Sequence, residues 1–184
     1  MFGVKIPRDA EEALKFDKEN GNTKWQDAMN LEVRSLFDYN TFKDIGKGTP
    51  TPEGYQLIRV HIIFAVKHDG RHKARAVAGG HLTQTPLESV YSGVVSIRGL
   101  RLVIFLAELN GYEPYGAGVG NAYIEALTFE KVCFVADAGF GDLEGHTLIT
   151  YKALYGLKSS GKRLAEKLAD TMRDLGFEIS KADN

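Results

Sequence analysis

From Thr23 onward, Trp25, Ala28, Met29, Val33, Leu36 and Phe37 recur at three- and four-residue spacing and predict an amphipathic helix, with Glu32 on the same face. Thr23 is placed to cap it. A shorter helix is predicted before it, in "PRDAEEALKFDKE", with Pro7 and Asp9 as start signals and Gly21 as the stop. "GKGTPTPEG" reads as a loop. The period then changes from 3.6 to 2. Ile58, Val60, Ile62, Phe64 and Val66 alternate with more polar positions, and "KARAVA" reads as the return strand. Asp69–Gly70 between them predicts a two-residue hairpin turn.

A further helix is predicted over 96–110, capped by Ser96 and ended at Asn110–Gly111. Its second half is apolar over most of its circumference, which predicts a place in the core. "YEPYGAGVG" reads as a strand running into a turn. "KVCFVA" and "TLITYKAL" read as strands. A last helix is predicted from Ser159 or Ser160 to Gly176, with Leu164, Leu168, Met172 and Leu175 along one face. "FEIS" begins another element, and the end of the chain just after it predicts a truncated domain.

Composition and charge narrow the function classes. The chain is 43% hydrophobic and 26% charged, in keeping with a globular domain with a core. Its longest apolar run, "LVIFLA", is closed by Arg101 and Glu108, far short of the roughly 20 residues of a membrane span. No signal peptide opens it, and the lone Cys133 predicts a small buried hydrophobe rather than a disulfide; an intracellular, cytoplasmic or nuclear setting is expected. The net charge of −1 is unevenly spread. Arg59, Lys67, Arg71, Lys73 and Arg75 face only Asp69 between Gln56 and Gly80. Lys152, Lys158, Lys162, Arg163 and Lys167 form a second basic cluster, and the stretch between them is acidic. Such patches suit a polyanion, although charge clusters are as a rule solvated faces.

Two stretches approach nucleotide-binding motifs. "YGAGVGNAY" places Gly116 and Gly118 as a dinucleotide-binding turn would, but Asn121 stands at the third glycine position and Pro114 weakens the preceding strand. "GLKSSGKR" meets the P-loop pattern until its last position, where Arg163 replaces the hydroxyl that would hold Mg²⁺. The five histidines show no H-x-x-x-H or H-E-x-x-H pattern.

Taken in order, "KWQDAMNLEVRSL", "FAVKHDGRHKARAVAGGH", "VYSGVVSIRGLRLVIFLAEL", "YGAGVGNAYIEA", "ITYKALYGLKSSGKR" and "LGFEISKADN" resemble the reverse transcriptase domain of copia-type LTR retrotransposons. The resemblance implies an α+β fold, the fingers and partial palm of a right-hand polymerase with an antiparallel sheet and packed helices. It implies an N-terminal helical segment and loop over 1–54, a fingers-like hairpin region over 55–95 and a partial palm over 96–184. The family transfers nucleotides with two Mg²⁺ held by carboxylates. One carboxylate comes from a pattern like Asp-Val-x-x-Ala-Tyr. Here Val119, Ala122 and Tyr123 match it, and Gly118 occupies the aspartate position. The others come from a Tyr-x-Asp-Asp hairpin, which this sequence lacks.

No metal and no cofactor are therefore expected, and no catalysis. What the resemblance carries over is a nucleotide- or template-binding set. Lys73 and Arg75 resemble fingers cations, Tyr123 resembles the aromatic gate under the sugar, and Tyr155, Gly156 and Lys158 resemble the segment against nucleotide and template. The expected partners are RNA, DNA or an RNA–DNA hybrid, with self-association through an exposed palm edge and no membrane. The alternatives are a non-catalytic module binding nucleic acid or protein, and a P-loop-like nucleotide binder.

Overall fold

Two helices open the fold of this computed structural model, which describes residues 3–84, 86 and 89–179. Helix α1 spans Ala10–Asn20, and α2 spans Lys24–Asp38. Asp9 caps α1 through the Glu12 N–H at 2.8 Å, and Gly21 ends it in the left-handed conformation, where a side chain would be strained. The expected cap of α2 is different. The Thr23 hydroxyl donates to Asp27, and the orphan N–H groups of Trp25 and Gln26 donate instead to the buried carboxylate of Asp17, at 2.8–3.1 Å. One helix thus caps the next, so the angle between them is held by charge-assisted hydrogen bonds.

Strands β1 (Phe42–Lys47), β2 (Gln56–Leu57), β5 (Val132–Val135) and β6 (His146–Thr150) form one sheet in the order β1-β6-β5-β2. The expected antiparallel sheet is in fact mixed, because β2 runs parallel to β5. β2 reaches that edge from the loop after β1 rather than by a hairpin from β5. Phe134, in β5, is fully buried and packs edge-on to Phe42 at 5.0 Å and against Phe140 at 5.3 Å. Cys133 is buried beside it, and burial pushes its thiol pKa up.

Strands β3 (Val60–Val66) and β4 (His72–Ala78) form a separate two-stranded sheet. The strands are where the alternation placed them, but the turn is longer than two residues. Lys67 and Arg71 still pair, Gly70 N–H donates to the Lys67 carbonyl, and Gly70 has φ +80°. This is a three-residue loop with a left-handed glycine. Val60, Ile62, Val66, Ala74, Ala76 and Ala78 are buried. Trp25 of α2 supports this face, edge-on to Phe64 at 5.5 Å and to His72 at 4.2 Å.

Helix α3 (Ile97–Leu109) exists, capped by Ser96 as expected, but no residue of it is buried. The expected core position is therefore wrong in this structure: an apolar circumference sets what a helix needs, not what is there to cover it. The expected strand in "YEPYGAGVG" is also absent; 113–119 has no regular structure and leads to a turn at Gly120–Asn121. Pro114 has no N–H to donate, and three glycines make an extended pairing entropically costly. Helix α4 (Ser160–Asp174) stops at Gly176 as expected, yet Leu168, Met172 and Leu175 are exposed. Phe177–Ile179 have no regular structure, and the rest of the "FEIS" expectation lies outside the described residues.

Candidate nucleic-acid interface

The hairpin has two unlike faces. The alanines of β4 point into the core, so Lys73, Arg75 and Val77 lie on the other face, with His61, Ile63 and Ala65 opposite them on β3. Lys73 and Arg75 are half-buried. Among the described residues, neither lies within ion-pair distance of a carboxylate. Burial lowers the Lys73 pKa, the neighbouring charges of Arg75 and Lys67 lower it further, and Glu32 opposes them. At the hairpin tip, by contrast, Arg71 is paired with Asp69 at 2.6 Å. Along the strand, among the described residues, no carboxylate pairs directly with Lys73 or Arg75, whereas at the tip Arg71 is paired.

Three distant parts of the chain meet at this face. The Arg75 guanidinium lies over the Tyr155 ring, 4.3 Å from its centroid. Tyr123 meets Tyr155 edge to face at 4.7 Å. Tyr123 sits on a single 3₁₀ turn, Ala122–Glu125, buried through Ile124. The turn is preceded by Asn121 in the left-handed conformation, whose amide donates to the Ser35 hydroxyl of α2 at 2.9 Å. The cluster is a cation, a ring stacked beneath it and a second ring at its flank, which is the equipment for holding phosphate and a flat base or sugar.

Gly156 sits where a side chain could not. It has φ +92°, and a Cβ there would overlap the Ala78 carbonyl oxygen; a Cβ on Gly80 would overlap the Gly156 carbonyl oxygen. The Ala78 N–H donates to the Tyr155 carbonyl at 2.7 Å. The segment from Tyr155 to Leu157 therefore lies directly along the end of β4. In this structure the P-loop-like glycine run is packed: Gly156 meets β4, and Lys162 lies 3.6 Å from Glu166. Lys158 is directed to the turn after β4, its ammonium donating to the Thr83 carbonyl at 2.6 Å. Of the expected set, Arg75, Tyr123 and Tyr155 are brought into mutual contact, Lys73 flanks them, Gly156 shapes the backbone, and Lys158 is engaged at a separate point.

Gly118 is exposed, and a Cβ there would touch nothing within 4 Å; its φ is not in the left-handed region. No local steric reason calls for glycine. The donors for a two-metal centre do not fit: no carboxylate stands at that position, and the described residues assemble no group of three or more metal-ligating side chains.

Sequence reasoning missed Glu32 and Asn121. Glu32 Oε1 accepts the Ala76 N–H at 3.0 Å. Its signal was visible, an acid on an otherwise apolar helix face. Asn121 left no comparable mark, since its contact spans to Ser35 in α2.

A family model described as reverse transcriptase (RNA-dependent DNA polymerase) matches residues 44–184. The chain is 27% identical to the retrovirus-related Pol polyprotein from transposon RE1 of Arabidopsis thaliana, over 96% of the chain and 12% of that protein. It is 29% identical to the truncated transposon Ty1-A Gag-Pol polyprotein of Saccharomyces cerevisiae, over 86% of the chain and 14% of that protein. It thus spans a small part of the length of these relatives. No solved structure matches it significantly.

Proposed function

The chain belongs to the reverse transcriptase family, in its copia-type branch, and on that premise we propose that it is a nucleic-acid-holding domain that has lost metal-dependent nucleotidyl transfer. The observation that carries this reading is the Arg75–Tyr155–Tyr123 contact beside Lys73. A cationic strand with no directly paired carboxylate is suited to a phosphate backbone, and the adjacent rings are suited to a base or sugar. In this reading residues 55–95 are fingers, 96–184 are partial palm, and 1–54 are the helical support beneath the hairpin. The ligand is RNA, DNA or an RNA–DNA hybrid.

The proposed loss of catalysis rests on Gly118, which stands where the family's first aspartate is expected. A glycine there supplies no oxygen to a metal ion, so the charge on the reacting oxygens would go without that ion's stabilisation. Two measurements test the proposal. Primer extension with Mg²⁺ or Mn²⁺ is expected to give no incorporation, and clear deoxynucleotide incorporation would refute it. Binding to a labelled RNA–DNA hybrid is expected to weaken with salt and to fall at least tenfold in the Lys73→Ala/Arg75→Ala double variant. Affinity indifferent to both would remove the nucleic-acid reading.

A further inference from the structure

The outer edge of β4 is closed at two points. The Ala78 N–H is taken by the Tyr155 carbonyl and the Ala76 N–H by the Glu32 carboxylate, at 2.7 and 3.0 Å. Both N–H groups point away from β3, so without these acceptors β4 would offer a free edge. The Tyr155 closure uses backbone. The Glu32 closure uses a charged side chain where a neutral amide oxygen would accept the same hydrogen bond.

The charge is costly there. Glu32 is half-buried, and burial pushes its carboxyl pKa up, against the pull of the Ala76 N–H and then of Arg75 and Lys73. The same two cations belong to the candidate interface, and Glu32 is the acid that acts on Lys73 in return. A half-buried acid not within ion-pair distance of either cation adds little binding of its own. Through the Ala76 N–H its carboxyl is seated next to Arg75 along β4, at the rim of the positive face.

We propose that Glu32 is a positioning and counter-charge residue of the hairpin: it clips β4 to α2 so that Lys73 and Arg75 are presented in fixed register, and its charge moderates their attraction for a polyanion. A phosphate backbone held by this face then remains exchangeable. This rests on the nucleic-acid reading of Lys73 and Arg75. The occupant is the phosphate backbone of an RNA–DNA hybrid, and Glu32 sets how tightly it is held.

The test compares Glu32→Gln and Glu32→Ala with the parent chain, by fluorescence anisotropy of a labelled RNA–DNA hybrid over a salt series, with a thermal melt of each protein. Glu32→Gln keeps an acceptor for Ala76 and removes the charge. It is expected to bind the hybrid roughly three- to tenfold more tightly at low salt, with the gain shrinking as salt rises and Tm unchanged or higher. Glu32→Ala also removes the charge but frees β4, so Tm is expected to fall by several degrees. Unchanged or weaker hybrid binding by Glu32→Gln, at unchanged Tm, would overturn the proposal.

A second readout needs no nucleic acid. Titration of the Lys73 ammonium by NMR is expected to move to lower pH in Glu32→Gln, because an acid that opposes its neighbours is gone. No movement would overturn the counter-charge role. Movement in a protein that binds no hybrid would uphold it and sink the nucleic-acid reading instead.

Discussion

The hairpin with its supporting helices and the stretch from α3 to Gly120 have similar claims to a core, and only one has one. In β3 and β4 the inward-facing valines, Ile62 and alanines are all buried, from Val66 at 9% exposure to Ala76 at 0%. In α3 the apolar residues Val103 and Phe105 are both 61% exposed. The residue types are comparable, so the difference lies in topology. Asp17, Glu32 and Asn121 each tie α2 to an element beyond its own turn, whereas α3 enters and leaves through segments without regular structure. Hydrophobicity supplies the drive to bury surface, and placement decides whether a second surface is there.

The sharpest way to break this comparison is a pair of phenylalanine substitutions. Phe134→Ala is expected to cost about 3–5 kcal/mol in urea unfolding, because it empties the centre of the aromatic cluster. Phe105→Ser is expected to change stability by less than about 0.5 kcal/mol. The same Phe105 change should reduce self-association in light scattering, since it removes exposed apolar surface. Equal losses from the two would mean that α3 is packed in solution.

The glycines sharpen the comparison at smaller scale. Gly156→Ala is expected to destabilise by roughly 2 kcal/mol or more, from the positive φ and the overlap with the Ala78 carbonyl. Gly118→Asp, in the unpacked stretch, should leave the melt unchanged, because a Cβ there meets nothing within 4 Å. A large loss from Gly118→Asp would show that this stretch is held by contacts.

The smallest expected effects are on pH, and they carry opposite signs within the packed half. The Asp44 carboxyl is held below its ordinary value of 3.8 by the Gly46 N–H and then by His146. A lowered folded pKa contributes stability above the ordinary value, lost as pH falls through the folded one. Glu32 is raised above its ordinary 4.5, so its contribution is full below that value and fades as pH rises through its folded pKa. Acid titration of Asp44→Asn and Glu32→Gln against the parent should therefore give stability differences of opposite slope, small for the exposed Asp44. The same slope in both would contradict the placement of one of them.

Much of the local structure was legible in the sequence. Asp9 and Gly21 bound α1 because capping chemistry is local. The period-two alternation located β3 and β4 to within a residue or two. β1 was not legible: "FKDIGK" has one buried residue, Phe42, and becomes a strand because β6 offers it a ladder. β2 was not legible as a strand of the main sheet, since its two residues are fixed by parallel pairing with β5. In the candidate interface, the resemblance named Arg75, Tyr123 and Tyr155 separately. Their mutual contact depends on the Tyr155–Leu157 segment lying along β4, which no window of sequence contains.

By itself the sequence determined the family, the helices and the hairpin, because each of these is written in residue identity or in near-neighbour spacing. Only the tertiary structure decided that Asp17 caps the next helix, that Glu32 closes β4 at Ala76 while the Tyr155 carbonyl closes it at Ala78, and that α3 lies open. The physical reason is common to all three. A hydrogen-bond acceptor or an apolar face is a capacity of the chain, and which partner satisfies it is set by elements far away along the sequence.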